Sequence, residues 1–300
     1  MRIGFASTSS LAIPLIKAFQ ADGHEIVSLI SREAKRSGRG LKRKNLKIDE
    51  FANSHGIRVF HPQDASTLYD HLIETQPDMV FVISYGSLID KELLEIPKYG
   101  WVNLHFSLLP AYRGAAPVQR AILEGEMNSG ITFFKLDQGM DSGPIYLQRQ
   151  FDISKGSSEE ILAAMCALGA SEIKNVLELL EKGIPPQPQK GNPSFAKKIS
   201  KDESRIDWNC KSDAIQRKIR ALYPKPGAWT TLNGKRFTIC SAKGAPLTGK
   251  PGLILSTKPL TVATGDLSLE IVQIHPEGSK ELPSEEWIKG ARLKPDSRFV

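Results

Sequence analysis

Residues 99–143 read YGWVNLHFSLLPAYRGAAPVQRAILEGEMNSGITFFKLDQGMDSG. Val102, Leu104 and Phe106 alternate with Asn103, His105 and Ser107. That is the period of a strand, so Asn103 and His105 project from one face. An amide and an imidazole two residues apart near a strand's end, followed by a turn closing on Pro110, sit where α/β folds present reactive groups. Taken alone, the pair also fits a satisfied polar edge, because buried polar groups find partners. Further on, the apolar run 131–136 gives way to DQGMDSG at 137–143. Gly139 and Gly143 permit backbone conformations closed to other residues, and Asp137 and Asp141 put carboxylates on the turn. Read singly, such an Asp is an Asx-turn former.

Amide, imidazole and carboxylate together are the set required when a neutral amine attacks a carbonyl carbon. Asn103 can donate to the developing oxyanion, His105 can donate or carry charge, and Asp141 can orient the ring and accept a proton. Such a direct transfer uses no Ser or Cys nucleophile.

Upstream, MRIGFAS at 1–7, a helical pattern over 11–21 and HEIVSLIS at 24–31 form the strand, helix, strand opening of a parallel sheet. Helical patterns at 45–55 and 65–75 flank the short strand IRVF at 57–60, and DMVFVISY at 78–85 is a continuous apolar run of buried parallel-strand type. Gly4 lacks the second and third glycines of a dinucleotide fingerprint, which argues against NAD. Downstream come a helix over 117–125 with Pro117 in its first turn, an alternating strand over 144–153, and a long amphipathic helix over 158–182 with Glu160 in its first turn. The Pro- and Gly-rich GIPPQPQKGNPS at 183–194 reads as a stiff linker. A helix over 211–222 precedes five short strands separated by Gly, Pro and Asn turns, the pattern of a small OB-like barrel. The expected fold is α/β: a Rossmann-like, mostly parallel sheet in a domain over 1–183, a linker over 184–203, and an OB-like β-barrel domain over 204–300.

The chain's 300 residues, 40% of them hydrophobic, suffice for two cores. The net charge of +7 is unevenly placed: from Ser204 onward 16 Lys and Arg face 9 Asp and Glu, while the residues before it hold 24 of each. A basic second domain beside a neutral first one points to a polyanionic partner. Residues 32–44 hold seven Lys or Arg against one Glu, with Gly38 and Gly40 interleaved. This is either a solvated loop or one that grips phosphates. No stretch has the apolar character of a secretory signal or the roughly 20 apolar residues of a membrane span, so a cytoplasmic location without membrane attachment is expected. Cys166, Cys210 and Cys240 are far apart and read as reduced structural thiols. His24, His55, His61, His71 and His275 are expected in surface or turn positions, and no metal site is expected.

Asn103-x-His105, SLLP at 107–110, YRGAAPVQRAI at 112–122 and DQGMDSG at 137–143 together resemble the formyltransferases that use 10-formyltetrahydrofolate. The likeness covers nearly the whole chain and is greatest to the branch acting on methionyl-tRNA, because the glycinamide ribonucleotide branch lacks the RGAAPVQRAI continuation and the second domain. The resemblance implies formyl transfer from 10-formyltetrahydrofolate to the α-amino group of initiator methionyl-tRNA without metal, producing N-formylmethionyl-tRNA for translation initiation; a monomer is expected. It implies catalysis by Asn103, His105 and Asp141, and folate contacts from Ser107, Leu108, Leu109, Pro110, Tyr85 and Gly86. It implies tRNA contacts from the basic loop, through Arg36, Arg39, Lys42, Arg43 and Lys44, with Arg217 and Lys218 as further cations for the tRNA. Phe106 departs from the small residue the family carries after its His, so the pocket wall is expected to differ there. Two rival readings are a different formyl acceptor, such as an amino-sugar nucleotide, and an RNA-binding protein whose α/β domain has lost catalysis.

Overall fold

Five apolar residues, Met79–Ile83, form the centre of the first sheet and are buried without exception, as in a strand covered on both faces. In the computed structural model, which describes residues 1–33, 46–294 and 296–300, the elements run β1 (Arg2–Ser7), α1 (Ile13–Ala21), β2 (Glu25–Ile30), α2 (Lys47–Ser54), β3 (Val59–Phe60), α3 (Ala65–Thr75), β4 (Met79–Ile83), α4 (Lys91–Glu95), β5 (Trp101–His105), α5 (Pro117–Glu124), β6 (Asn128–Lys135), β7 (Ile145–Asp152) and α6 (Ser158–Glu181). The sheet order is β3-β2-β1-β4-β5-β6-β7. β2, β1, β4 and β5 pair in parallel, and β6 runs antiparallel to β5 with His105 opposite Thr132. Strand order reverses beside β1, which makes the carboxyl ends of β1 and β4 a topological switch point, the place where open α/β sheets bind ligands.

Local sequence sets the boundaries. Asp64 opens α3 with a capping box, its carboxylate accepting from Thr67 N while the Thr67 hydroxyl accepts from Asp64 N. Trp101 is fully buried and donates its indole N–H to Leu93 O at 2.8 Å. His71 departs from its expected surface position: it is 2% exposed, stacks on Phe60 at 4.0 Å, and meets Ser28 Oγ at 3.0 Å. On α3 it falls one residue before Leu72, on the face that also buries Leu68 and Thr75, so helical periodicity carries it inward.

The chain divides into two units, one comprising Met1–Pro117, Ser129–Phe151 and Leu162–Ala196, the other Val118–Asn128, Asp152–Ile161 and Lys197–Val300. The second contains α7 (Ser212–Leu222), β8 (Ala228–Leu232), β9 (Lys235–Ala245), β10 (Ile254–Thr257), β11 (Leu260–Ala263), β12 (Ser268–Pro276), β13 (Leu282–Pro283) and α8 (Ser284–Gly290). Its sheet is antiparallel in the order β10-β11-β12-β9-β8, with β13 on β12. Asn233 and Gly234 join β8 to β9 with φ of 51° and 75°, the left-handed pair a two-residue hairpin needs. Trp208, Phe237, Trp287 and Phe299 form an aromatic cluster with centroids 5.3 to 6.3 Å apart. Among the described residues β8 and β10, the two ends of the sheet, do not pair with each other, so the sheet is an open path where a barrel was expected. Among the described residues, no helix is long and apolar enough to cross a membrane.

Candidate active site

β5 ends on Asn103 and His105 at the carboxyl edge of the first sheet. The turn after it is pinned by one hydroxyl: Thr132 Oγ1 donates to Ser107 O at 2.6 Å and accepts from Leu109 N at 3.1 Å. Gln148 Nε2 reaches both Leu109 O and Thr132 Oγ1 at 2.9 Å. The Leu109–Pro110 bond is cis. The chain then rises through Tyr112 and Gly114, both at positive φ, back over His105. A Cβ on Gly114 would lie 2.9 Å from Ala196 O, which only glycine accommodates.

That loop holds both ionisable members of the expected trio. His105 Nε2 meets Tyr112 O at 2.9 Å, and because a carbonyl only accepts, Nε2 carries the proton. Nδ1 then faces Asp141 Oδ2 at 3.7 Å. Oδ2 also accepts Gly114 N–H at 2.7 Å. In the same turn, Asp137 binds Gly139 N and Ser142 Oγ, the Asx-turn duty that Asp141 does not perform. A side chain on Gly143 would collide with Lys135 O, which explains the glycine. Asn103 Oδ1 is buried without a hydrogen-bond partner, leaving unspent polar capacity in the wall.

The three residues line one cavity of about 470 Å³ with Tyr85, Gly86, Leu88, Ile89, Phe106, Leu136 and Met140. An apolar hollow with a few convergent polar groups suits a flat heterocycle. Burial pushes the Tyr85 hydroxyl above its ordinary value, against the opposing charge of Arg32 beside its ring. Arg32 also donates to Gly86 O at 3.2 Å.

The chain matches the formyl transferase family over residues 1–173 and the formyl transferase C-terminal domain over residues 198–292. It is 36% identical to the methionyl-tRNA formyltransferase of Parafrankia sp. (strain EAN1pec) over 100% of both chains. The same enzyme from Thermus thermophilus is 34% identical, over 100% of this chain and 99% of the relative. The chain belongs to the methionyl-tRNA formyltransferase family. It is therefore a formyl-transferring enzyme. Solved structures share the fold: the methionyl-tRNA formyltransferase from Clostridium thermocellum (TM-score 0.61, 22% identity) covers 82% of this chain and 94% of its own. HypX from Aquifex aeolicus in complex with tetrahydrofolic acid (TM-score 0.71, 21% identity) covers 99% of this chain and 50% of its own.

The expected site residues fall unevenly within this family frame. Asn103, His105, Asp141, Tyr85 and Gly86 meet at the cavity, whereas Ser107, Leu108, Leu109 and Pro110 are not in its lining. Ser107 is fully buried and spends its hydroxyl on Ala111 O. Leu88 and Met140, 73% and 56% exposed, also line the cavity, Leu88 from the turn at 84–89 and Met140 from the turn at 137–143. Phe106 stands in the wall. Arg217 is paired with Asp213 at 2.8 Å, and Lys218 Nζ donates to Arg205 O at 2.9 Å. Arg36, Arg39, Lys42, Arg43 and Lys44 lie outside the described residues.

Proposed function

We infer that this enzyme transfers the formyl group of 10-formyltetrahydrofolate to the α-amino group of initiator methionyl-tRNA, with Asn103, His105 and Asp141 as the catalytic set. The observation that carries the catalytic assignment is the meeting of an unpartnered amide, an imidazole and a carboxylate at one cavity wall. The cavity's apolar lining fits a pterin, and the unpartnered Asn103 Oδ1 is an acceptor for an N–H brought by a substrate.

In this reading the amine attacks the formyl carbon, a C–N bond forms, and the carbonyl oxygen becomes an oxyanion to which the Asn103 amide donates. With Nε2 committed to Tyr112 O, His105 Nδ1 is the atom free to take the proton from the attacking nitrogen. The Asp141 carboxylate, 3.7 Å away, stabilises the resulting imidazolium. Nδ1 then returns the proton to N10 as the C–N10 bond breaks, giving N-formylmethionyl-tRNA and tetrahydrofolate for translation initiation in the cytoplasm.

The second sheet is read as an OB-like barrel that grips the tRNA together with the basic loop at 32–44, Arg217 and Lys218. Support comes from residues 297–300, which lie between the sheet's ends. Thr231 and Val300 exchange two backbone hydrogen bonds of 2.9 Å, and Phe299 N reaches Gly252 O at 2.8 Å. The test supplies labelled formyl donor with methionyl-tRNA and, separately, with an amino-sugar nucleotide. Label on the tRNA is expected; label only on the sugar overturns the assignment of acceptor.

A further inference from the structure

Residues 187–196 run back along the site of the first unit. Gln187 exchanges backbone hydrogen bonds of 2.7 and 2.8 Å with Ile145. Ser194 Oγ accepts Tyr112 N at 2.8 Å, Ser194 O accepts Arg113 N at 2.9 Å, and Ala196 N donates to Arg113 O at 2.7 Å. Between these anchors lies Gln189. Its Nε2 donates to Asp141 O at 2.9 Å and to Gly143 O at 2.8 Å. Its Oε1 accepts from Arg113 Nη2 at 2.6 Å and Nε at 3.2 Å. Both ends of the amide are spent, donors on one loop and acceptor on the other.

The two loops are those that set the relation of His105 to Asp141. Arg113 lies between Tyr112, whose carbonyl holds His105, and Gly114, whose N–H holds the Asp141 carboxylate. Asp141 itself sits at φ 50°, a left-handed conformation that persists in a non-glycine residue when its surroundings impose it. The Gln189 hydrogen bond to Asp141 O is such an imposition.

We propose that Gln189 is a positioning residue for formyl transfer, fixing the Asp141 carboxylate relative to His105 without touching either substrate. The proposal rests on the catalytic reading of Asp141 given above. Only an amide of this length serves both loops. A glutamate would keep Arg113 but set a carboxylate oxygen against two carbonyl oxygens. A methionine would fill the space and make neither contact.

The test measures kcat, both KM values and Tm for Gln189→Glu, Gln189→Met, Asp141→Asn, and each Gln189 variant combined with Asp141→Asn. Expected is a loss of about 100-fold in kcat for the Gln189 variants, the scale of a misplaced catalytic group, with both KM values unchanged. Each double variant is expected to turn over no more slowly than Asp141→Asn alone, because a residue acting through Asp141 has nothing further to lose. A merely structural role would instead multiply the two losses, and that result overturns the proposal. So does a slow Asp141→Asn beside Gln189 variants that turn over at the wild-type rate, an outcome that leaves the reading of Asp141 standing. A wild-type rate in Asp141→Asn removes that reading itself and the positioning role with it. Should Gln189→Glu fail to fold, Gln189→Met and its double variant carry the same comparison.

Discussion

The hydroxyl of Thr132 donates to the carbonyl of Ser107 at 2.6 Å, where the chain turns just beyond His105. Thr132 is fully buried, pairs across the strands with His105, and also serves Leu109 N and Gln148 Nε2. Thr132→Val keeps the shape and deletes the hydroxyl, leaving a buried carbonyl and a buried N–H without partners. The expected cost is about 2–6 kcal/mol in urea unfolding, at about one to three for each orphaned group. A loss well under 1 kcal/mol would mean the turn finds other partners and the hydroxyl is not what shapes it.

Substitution at the trio separates chemistry from binding. In the proposed reaction Asn103→Ala removes the oxyanion donor and His105→Ala the proton carrier, and each is expected to lower kcat about 100-fold or more. Asp141→Asn keeps an oxygen for Gly114 N–H yet loses the charge facing Nδ1, with a loss on the order of 100-fold. Affinity for methionyl-tRNA, read by filter binding, is expected to stay at the wild-type value in all three. Weakened tRNA binding with normal single-turnover rates would move these residues from chemistry to recognition.

How far the sequence carried this site is visible residue by residue. Asn103 and His105 were legible because strand alternation is local, and Asp141 because a Gly-rich turn after an apolar run announces itself. Gln189 was not legible: it stands among prolines in a stretch without periodicity, and its importance arises from loops distant in the chain. The turn 107–110 lies outside the cavity lining, because closeness to His105 in sequence is not exposure to the cavity. His71 was hidden for a related reason, since its polar neighbours on α3 face solvent while a helix turns every fourth residue inward. The hairpin at Asn233 and Gly234 was written in two residues, whereas the path from β8 to β10 depends on a tail whose pairing is wholly non-local.

Acid stability should report on Glu203. Its carboxylate accepts Arg120 Nη1 at 2.8 Å and Ser200 N at 2.9 Å, and the Arg120 hydrogen bond above all, then that of Ser200, pulls it from 4.5 down to about 2. Because the folded value lies below the unfolded one, the contribution is present above about 4.5 and lost as pH falls toward about 2. The side chain is 46% exposed, so solvent screening limits the contribution to roughly 1 kcal/mol at neutral pH. Glu203→Gln is expected to be less stable than wild type by that amount at pH 7, with the two curves converging in acid. Curves that stay parallel across the acid range would deny the carboxylate this role.

Gly114 joins the backbone geometry of the loop to the chemistry of the site. Its φ of 119° is closed to side chains, and a Cβ there would press on Ala196 O. Its N–H is also the donor that holds Asp141 Oδ2. Gly114→Ala therefore has to move the backbone, and the movement carries the N–H away from the carboxylate that faces Nδ1 and, in the proposed reaction, supports proton transfer. Strain of this kind costs on the order of 1–3 kcal/mol in unfolding free energy. The accompanying loss of kcat is expected to be about 100-fold, because the displacement occurs at a direct partner of Asp141. The discriminating measurement is kcat under conditions where calorimetry shows the variant fully folded. A folded Gly114→Ala enzyme working at the wild-type rate would mean that the Gly114 N–H bond to Asp141 Oδ2 does not govern catalysis.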